Sequence, residues 1–293
     1  MNPLPTLSRV KLPDNRYLSY SLSGSPEGIP LLYCHGMPGS AYELAGGHDV
    51  ALSEGVRLIV PERPGYGGSG LHPAYNLKIW AEDLGYLLEQ LEISQLDLMG
   101  YSAGGAFALA AAHGLSTQVR RLTLVSSVAP YDFSGCFEGM SAANQTMIQQ
   151  AREDLAQLAA GMAPLAAAPE QWLGLVIQGL AATDQALLLD QPGLYTQLRL
   201  NFQRSLQEGL AGMLSDLAIL VTDWRYILDK IEPPVTLWQG GVDSSIPPVM
   251  AQILSEQLPL SERHIIPNSG HLLRYSHWAA ILRRITDQLA SGS

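Results

Sequence analysis

Gly100-Tyr101-Ser102-Ala103-Gly104 stands between an apolar run, Leu96 to Met99, and an Ala-rich stretch from Ala103 to His113. No other segment restricts the fold of this chain as tightly. The short apolar run reads as a buried strand and the Ala-rich stretch as a helix, so the pentapeptide must turn one directly into the other. Such a turn strains the backbone of its central residue, and glycines two positions to either side relieve collisions between the segments it brings together.

The same alternation extends through the first half of the chain. Ile29 to Cys34, Arg57 to Val60, Leu96 to Met99 and Leu122 to Ser126 are short apolar runs flanked by turn residues, which predicts buried strands. Trp80, Leu84, Leu87, Leu88 and Leu91 recur at helical spacing between them. Strands alternating with helices predict a parallel sheet. Leu7 to Val10 and Tyr17 to Ser21, separated by Pro13-Asp14-Asn15, predict an antiparallel hairpin at its edge.

From about Tyr131 to Trp224 strand-like runs disappear, and Ala, Leu and Gln dominate segments such as Met147 to Leu158 and Leu206 to Leu220. This predicts a helical insertion at 131–224, dividing a core whose first part is 1–130 and whose second part is 225–293. Alternation resumes with the strand Val235 to Gln239, a helix over Pro248 to Gln257, the strand Arg263 to Ile266 and a final helix over Ser276 to Leu289. No internal repeat is visible, and nothing resembles a low-complexity tail beyond the closing Ser291-Gly292-Ser293.

Composition narrows the partners. With 47% hydrophobic and 15% charged residues in 293, the chain can bury a large core. Its net charge of -10 opposes phosphate backbones and anionic membrane surfaces, so nucleic acid is not an expected partner. Cys34 and Cys136 give no disulfide framework. Met1 to Val10 lacks the basic start and apolar run of a secretory signal, and no stretch reaches the roughly 20 apolar residues of a bilayer span. The expectation is a soluble cytoplasmic protein without membrane insertion, acting on a small molecule, as a monomer or a homodimer.

Ser102, at the centre of the strand-to-helix turn, is the candidate nucleophile. A serine hydroxyl is weak near neutral pH and needs a histidine to take its proton and a carboxylate to orient that histidine. Among seven histidines, His271 follows the last strand in Asn268-Ser269-Gly270-His271, where a parallel sheet presents its functional loops. His264 falls within a strand and His277 at a helix start. Asp243, in Gly240-Gly241-Val242-Asp243, follows Val235 to Gln239 and is the expected acid, with Asp132 a weaker competitor. After the strand Ile29 to Cys34, the loop His35-Gly36-Met37-Pro38-Gly39 can aim an amide at a reacting oxygen, so the N–H groups of Met37 and Ala103 are the expected oxyanion donors, with His35 and Gly36 supporting the loop.

Taken in order, His35-Gly36-Met37-Pro38-Gly39, Arg63-Pro64-Gly65-Tyr66-Gly67, Gly100-Tyr101-Ser102-Ala103-Gly104, Asp243 and Gly270-His271 make the chain resemble the α/β-hydrolase family over nearly its whole length outside the insertion. The resemblance implies a mainly parallel eight-stranded sheet flanked by helices, a helical lid between the sixth and seventh strands, and acyl-enzyme chemistry without a cofactor or metal. Relatives often carry aspartate at the position of Glu62, a change that keeps the charge. Ser102 occupies the position where dehalogenases and epoxide hydrolases of the family carry aspartate. The expected substrate is a small or medium, mainly uncharged ester. The alternatives are a peptidase of the proline-iminopeptidase kind, with Glu153 and Asp154 available to hold an ammonium, and a receptor that binds its ligand without turning it over.

Gly65, Gly67 and Gly70 also satisfy G-x-G-x-x-G, the dinucleotide fingerprint. That fingerprint requires the loop to run straight into a helix, whereas Leu71-His72-Pro73 prolongs it.

Overall fold

The computed structural model describes residues 4–290; Met1 to Pro3 and the closing Ser291-Gly292-Ser293 lie outside the described residues. The hairpin comes first: β1 (Thr6–Lys11) and β2 (Tyr17–Gly24) pair antiparallel, closed by a turn in which Asn15 takes φ 72°. The alternating segment follows as β3 (Ile29–Cys34), α1 (His48–Ser53), β4 (Val56–Pro61), α2 (Leu77–Gln90), β5 (Leu96–Tyr101), α3 (Gly104–Gly114) and β6 (Val119–Val125). The insertion folds as α4 (Ala142–Glu153), α5 (Leu155–Ala166), α6 (Pro169–Gly179), α7 (Ala182–Asp190), α8 (Pro192–Ser205) and α9 (Ala211–Leu220). The core then closes with β7 (Val235–Gly240), α10 (Pro248–Gln257), β8 (Ser261–Ile266), α11 (Leu273–Ser276) and α12 (Trp278–Ala290).

All strands join one eight-stranded sheet in the order β1-β2-β4-β3-β5-β6-β7-β8. Pairing is parallel from β4 through β8 and antiparallel where β2 meets β4 and β1 meets β2. From β3 the chain first adds β4 on one side and then β5 on the other. The strand order therefore reverses between β3 and β5, and a crevice at the carboxyl ends of strands opens at such a switch point. Cys34 stands opposite Gly100 in the register, so the loop after β3 and the turn after β5 leave the sheet side by side.

Side-chain alternation along β5 explains the two faces. Leu96 and Leu98 join a cluster with Trp80 and Leu84 of α2 and Phe107 of α3, while Met99 and Tyr101 join a second cluster with Ile281, Leu282 and Ile285 of α12. Side chains as deeply buried as Leu98 and Phe107 each contribute about 1.5–3 kcal/mol relative to exposure. The insertion has its own apolar cluster, including Trp172, Phe202, Met213 and Leu217, into which Tyr66 of the core also packs. Met37 borders both this cluster and the α2/α3 face.

Two helix boundaries differ from the expected ones for local reasons. Asp154 adopts extended geometry (φ -157°) and its side chain accepts the Gln157 N–H at 2.9 Å, so the run Met147 to Leu158 is broken into α4 and a newly capped α5. The closing helix begins at Trp278, not Ser276, because α11 ends at Ser276 and the Ser276 hydroxyl bonds the Leu273 carbonyl and the His277 ring. Cys34 and Cys136 are both buried and free, and burial pushes the Cys34 thiol up to about 12.

Candidate active site

Ser102 sits at the tip of the turn between β5 and α3 with φ 55°, left-handed geometry that only steric enforcement makes tolerable for a serine. The enforcement is visible. A Cβ on Gly104 would strike the backbone carbonyls of Cys34 and His35, and one on Gly100 would come within 2.8 Å of Ala108 Cβ and 2.7 Å of the Gly105 backbone. The two glycines thus let α3 lie against β3 and β5, and the serine backbone absorbs the bend. Its N–H donates to the Val125 carbonyl at 3.0 Å and its carbonyl accepts from Val128 at 3.2 Å, tying the turn to β6. Ser102 is 9% exposed.

Asp243 and His271 come together from loops that follow adjacent strands. His271 Nδ1 donates to Asp243 Oδ2 at 2.9 Å, and the other carboxylate oxygen accepts the N–H groups of Ser245 and Ile246 at 2.8 and 2.9 Å. The acid is held on both oxygens, which fixes the imidazole plane and leaves Nε2 unused by it. Burial lowers the imidazole pKa, but the Asp243 charge and hydrogen bond, assisted by Asp184 and Glu43, outweigh it, and the net shift is upward. The residue preceding the serine makes the link across the site: Tyr101 donates its hydroxyl to the His271 carbonyl at 3.0 Å and its ring centroid lies 5.1 Å from the imidazole.

The loop after β3 is held by groups on three sides. His35 is fully buried; its Nε2 accepts the Arg63 N–H at 3.1 Å, which puts the ring proton on Nδ1, where it donates to the Gly36 carbonyl at 2.9 Å. Burial and the adjacent Arg63 charge hold this histidine well below its usual pKa, hence neutral. Glu43 accepts the Gly36 N–H at 2.8 Å and the Tyr33 hydroxyl at 2.9 Å. Arg63 donates to the carbonyls of His35 and Gly36 at 2.5 and 2.8 Å. Among the described residues, neither the Met37 N–H nor the Ala103 N–H is used by another protein group. The positive end of α3 lies beside them.

Arg63 is itself anchored in the insertion. Its Nε and Nη2 bond Asp216 Oδ2 of α9 at 3.0 and 2.8 Å, and the Tyr66 hydroxyl donates to the same oxygen at 2.7 Å. Both partners are fully buried. Burial opposes the guanidinium charge, but Asp216 overcomes it and Arg63 stays protonated. Further contacts of the same kind join α8 to the core: Ser40 donates its N–H and hydroxyl to Asn201 Oδ1 at 2.9 and 2.7 Å, and Arg204 pairs with Glu62 at 2.6 and 2.8 Å. On α7, the Asp184 carboxylate accepts the N–H groups of His271 and Leu272 at 2.8 and 2.9 Å.

Sequence patterns singled out the serine, histidine, acid and loop residues but not Asp184, Asp216 or Glu43. Asp184 and Asp216 act between the insertion and the core, Glu43 grips the loop seven residues before it, and the sequence neighbours of each carry no corresponding motif. The other candidates lie apart. Asp132 forms a half-exposed pair with Arg152 at 3.0 Å, His264 stacks on Trp238 beside Glu262, and His277 bonds Ser276. Glu153 accepts from Gln149, and Asp154 caps α5. Among the described residues no three histidine, cysteine or carboxylate side chains gather as a metal site, and no helix is long and apolar enough to cross a membrane.

A doubly wound sheet with a left-handed serine at the end of β5 and an imidazole–carboxylate pair after β7 and β8 defines a class of α/β proteins. The chain belongs to the α/β-hydrolase fold family, whose model matches residues 29–277. It is 29% identical over 287 residues to the 2-hydroxymuconate semialdehyde hydrolase of Pseudomonas putida, covering 92% of this chain and 90% of that one. It is 27% identical to the pimeloyl-[acyl-carrier protein] methyl ester esterase of Vibrio cholerae, over 87% and 91% of the two chains. The crystal structure of a bromoperoxidase from Bacillus anthracis shares the fold with TM-score 0.72 at 22% identity, covering 97% of this chain and 100% of that one. These relatives make the protein a hydrolase-family member.

Proposed function

We propose that the protein is a serine hydrolase that cleaves a small or medium, mainly uncharged ester through an acyl-enzyme. The observation that supports it best is the Asp243–His271 pair at 2.9 Å, packed through Tyr101 against the left-handed elbow that carries Ser102. In this reading Asp243 keeps the proton of His271 on Nδ1, so Nε2 is the basic nitrogen. Nε2 takes the Ser102 hydroxyl proton as Oγ bonds to the ester carbonyl carbon. The carbonyl oxygen becomes an oxyanion, which accepts from the unused N–H groups of Met37 and Ala103. Collapse of the tetrahedral intermediate breaks the bond to the alkoxide, which leaves with the proton from Nε2. Water, deprotonated by the same imidazole, then releases the acid and restores the serine. The six-helix insertion serves as a lid whose apolar cluster borders Met37 and favours an uncharged substrate. The Vibrio cholerae relative, named a methyl ester esterase, supports the choice of an ester.

The discriminating assay compares hydrolysis of p-nitrophenyl acetate, butyrate and octanoate with that of aminoacyl p-nitroanilides. Ester turnover is expected to dominate and to fall as the acyl chain outgrows the site. Efficient anilide turnover with negligible ester turnover would reverse the assignment, and ligand-dependent melting shifts without product would indicate a receptor.

The same assay run against pH has a signed expectation. Catalysis needs neutral His271, and the groups facing it raise its pKa above the ordinary 6.5. The acidic limb of kcat/KM is therefore expected above that value, with activity lost as pH falls through it. A limb at or below the ordinary imidazole value contradicts the assigned base.

A further inference from the structure

His271 is contacted by two buried carboxylates, and the proposed mechanism uses only one. The second comes from the insertion. Asp184 lies in α7, is 2% exposed, and places its two oxygens on two successive backbone N–H groups, those of His271 at 2.8 Å and Leu272 at 2.9 Å. The fit is close on the loop side: a Cβ at Gly270 would collide with this carboxylate, so the sequence Gly270-His271 permits the approach. A third grip comes from beneath, where the Tyr101 hydroxyl donates to the His271 carbonyl at 3.0 Å. The peptide of His271 is thus held at its N–H by the insertion and at its C=O by β5, while its side chain is held by Asp243.

We propose that Asp184 is a positioning residue for the reaction: a carboxylate supplied by the insertion that fixes the His271 backbone and adds negative charge beside the imidazolium formed during acyl transfer. The inference rests on His271 being the base of the proposed hydrolase. It makes the insertion part of the catalytic apparatus, because the core alone would leave the His271 and Leu272 N–H groups without this acceptor.

The chemistry supports a role beyond anchoring. A buried carboxylate that bonds only backbone amides is costly where a neutral oxygen would satisfy the same donors. Burial and the Asp243 charge push the Asp184 carboxyl up, and the Leu272 amide, the His271 charge and the His271 amide oppose them without cancelling the rise. What a neutral acceptor does not provide is attraction for positive charge on the neighbouring ring. The charges that raise the His271 pKa are Asp243, Asp184 and Glu43; the titratable Tyr101 ring lies against its side, and the Arg274 guanidinium lies over that ring at 4.7 Å. Asp184 is the one that the insertion contributes. Removing its charge destabilises the imidazolium, lowers the His271 pKa and weakens the stabilisation of the transition state.

The test measures kcat, KM and the pH dependence of p-nitrophenyl butyrate hydrolysis for wild type, Asp184→Asn and Asp184→Glu, with a melting scan on each. Asp184→Asn is expected to lower kcat about tenfold with little change in KM, as expected for a misplaced catalytic group, and to move the acidic limb of kcat/KM to lower pH by about half a unit. Asp184→Glu keeps the charge but displaces the carboxylate. It is expected to lose kcat while its acidic limb stays at the wild-type position. An unchanged limb in Asp184→Asn, or a limb shifted equally in both variants, overturns the assignment; a loss carried only by melting temperature does the same. If Asp184→Asn does not fold, the limb of Asp184→Glu decides, since a shift there denies the charge its role. Failure of the underlying reading is seen separately, because Ser102→Ala would then still hydrolyse the ester.

Discussion

On the proposed mechanism, Ser102→Ala is expected to lower kcat for a p-nitrophenyl ester by on the order of 10⁴-fold or more while leaving the melting temperature within a few degrees of wild type, since the members of a triad act as a unit and residual rate comes from oxyanion donors and binding. The side chain removed is small, and the backbone strain that holds the elbow is unchanged by it. A fluorophosphonate probe should label wild type and leave Ser102→Ala unlabelled. Equal labelling of the two proteins, or turnover within tenfold of wild type, removes Ser102 from the chemistry.

The largest expected effect on stability lies at Arg63. Its guanidinium is fully buried, stacks over Phe107 at 4.4 Å, and joins the carbonyls of His35 and Gly36 to Asp216 of α9. Arg63→Met keeps much of the volume but leaves Asp216 charged, buried and without its cation. Asp216 Oδ1 already has no hydrogen-bond partner, so the remaining compensation is the Tyr66 hydroxyl alone. Breaking one side of a buried pair costs about 3–5 kcal/mol, which for a chain of this size corresponds to a melting temperature lower by roughly 10 °C. Replacing both partners, as Arg63→Met with Asp216→Leu, is expected to recover much of that loss, because no isolated charge is left behind. A melting curve of Arg63→Met that overlays wild type, or a double variant worse than the sum of the singles, denies the pair this role. Activity should fall in either variant, since the loop that carries Met37 loses its anchor.

The contrast between these two sites explains what could be read from the chain. Ser102, Gly100 and Gly104 are local: the strained turn, the strand before it and the helix after it occupy one short segment, and the steric need for both glycines is met within it and the adjacent β3 loop. The strands were legible too: β3, β4, β5 and β6 as short apolar runs between turn residues, and the mixed-polarity hairpin strands from the turn Pro13-Asp14-Asn15 between them. Helix ends were less so where a single polar side chain decides them, as Asp154 does by capping α5 within an apolar run. The contacts from the insertion were not legible at all. Asp184, Asn201 and Asp216 lie in segments whose spacing reports only amphipathic helices, and their partners are backbone amides or loops more than 80 residues away in sequence. A carboxylate that bonds a backbone N–H leaves no signature on the residue it serves.

Those contacts bear on how the molecule can be re-engineered. Ser40, Glu62, Arg63 and the amides of His271 and Leu272 each depend on a partner between β6 and β7. A chimera that grafts a foreign segment onto this sheet to change its ligand preference would inherit those five groups unmatched. Transplanting the helices without Asp184, Asn201, Arg204 and Asp216 in register is therefore a poor route to new selectivity, and redesign is better confined to residues facing the interior of the existing insertion.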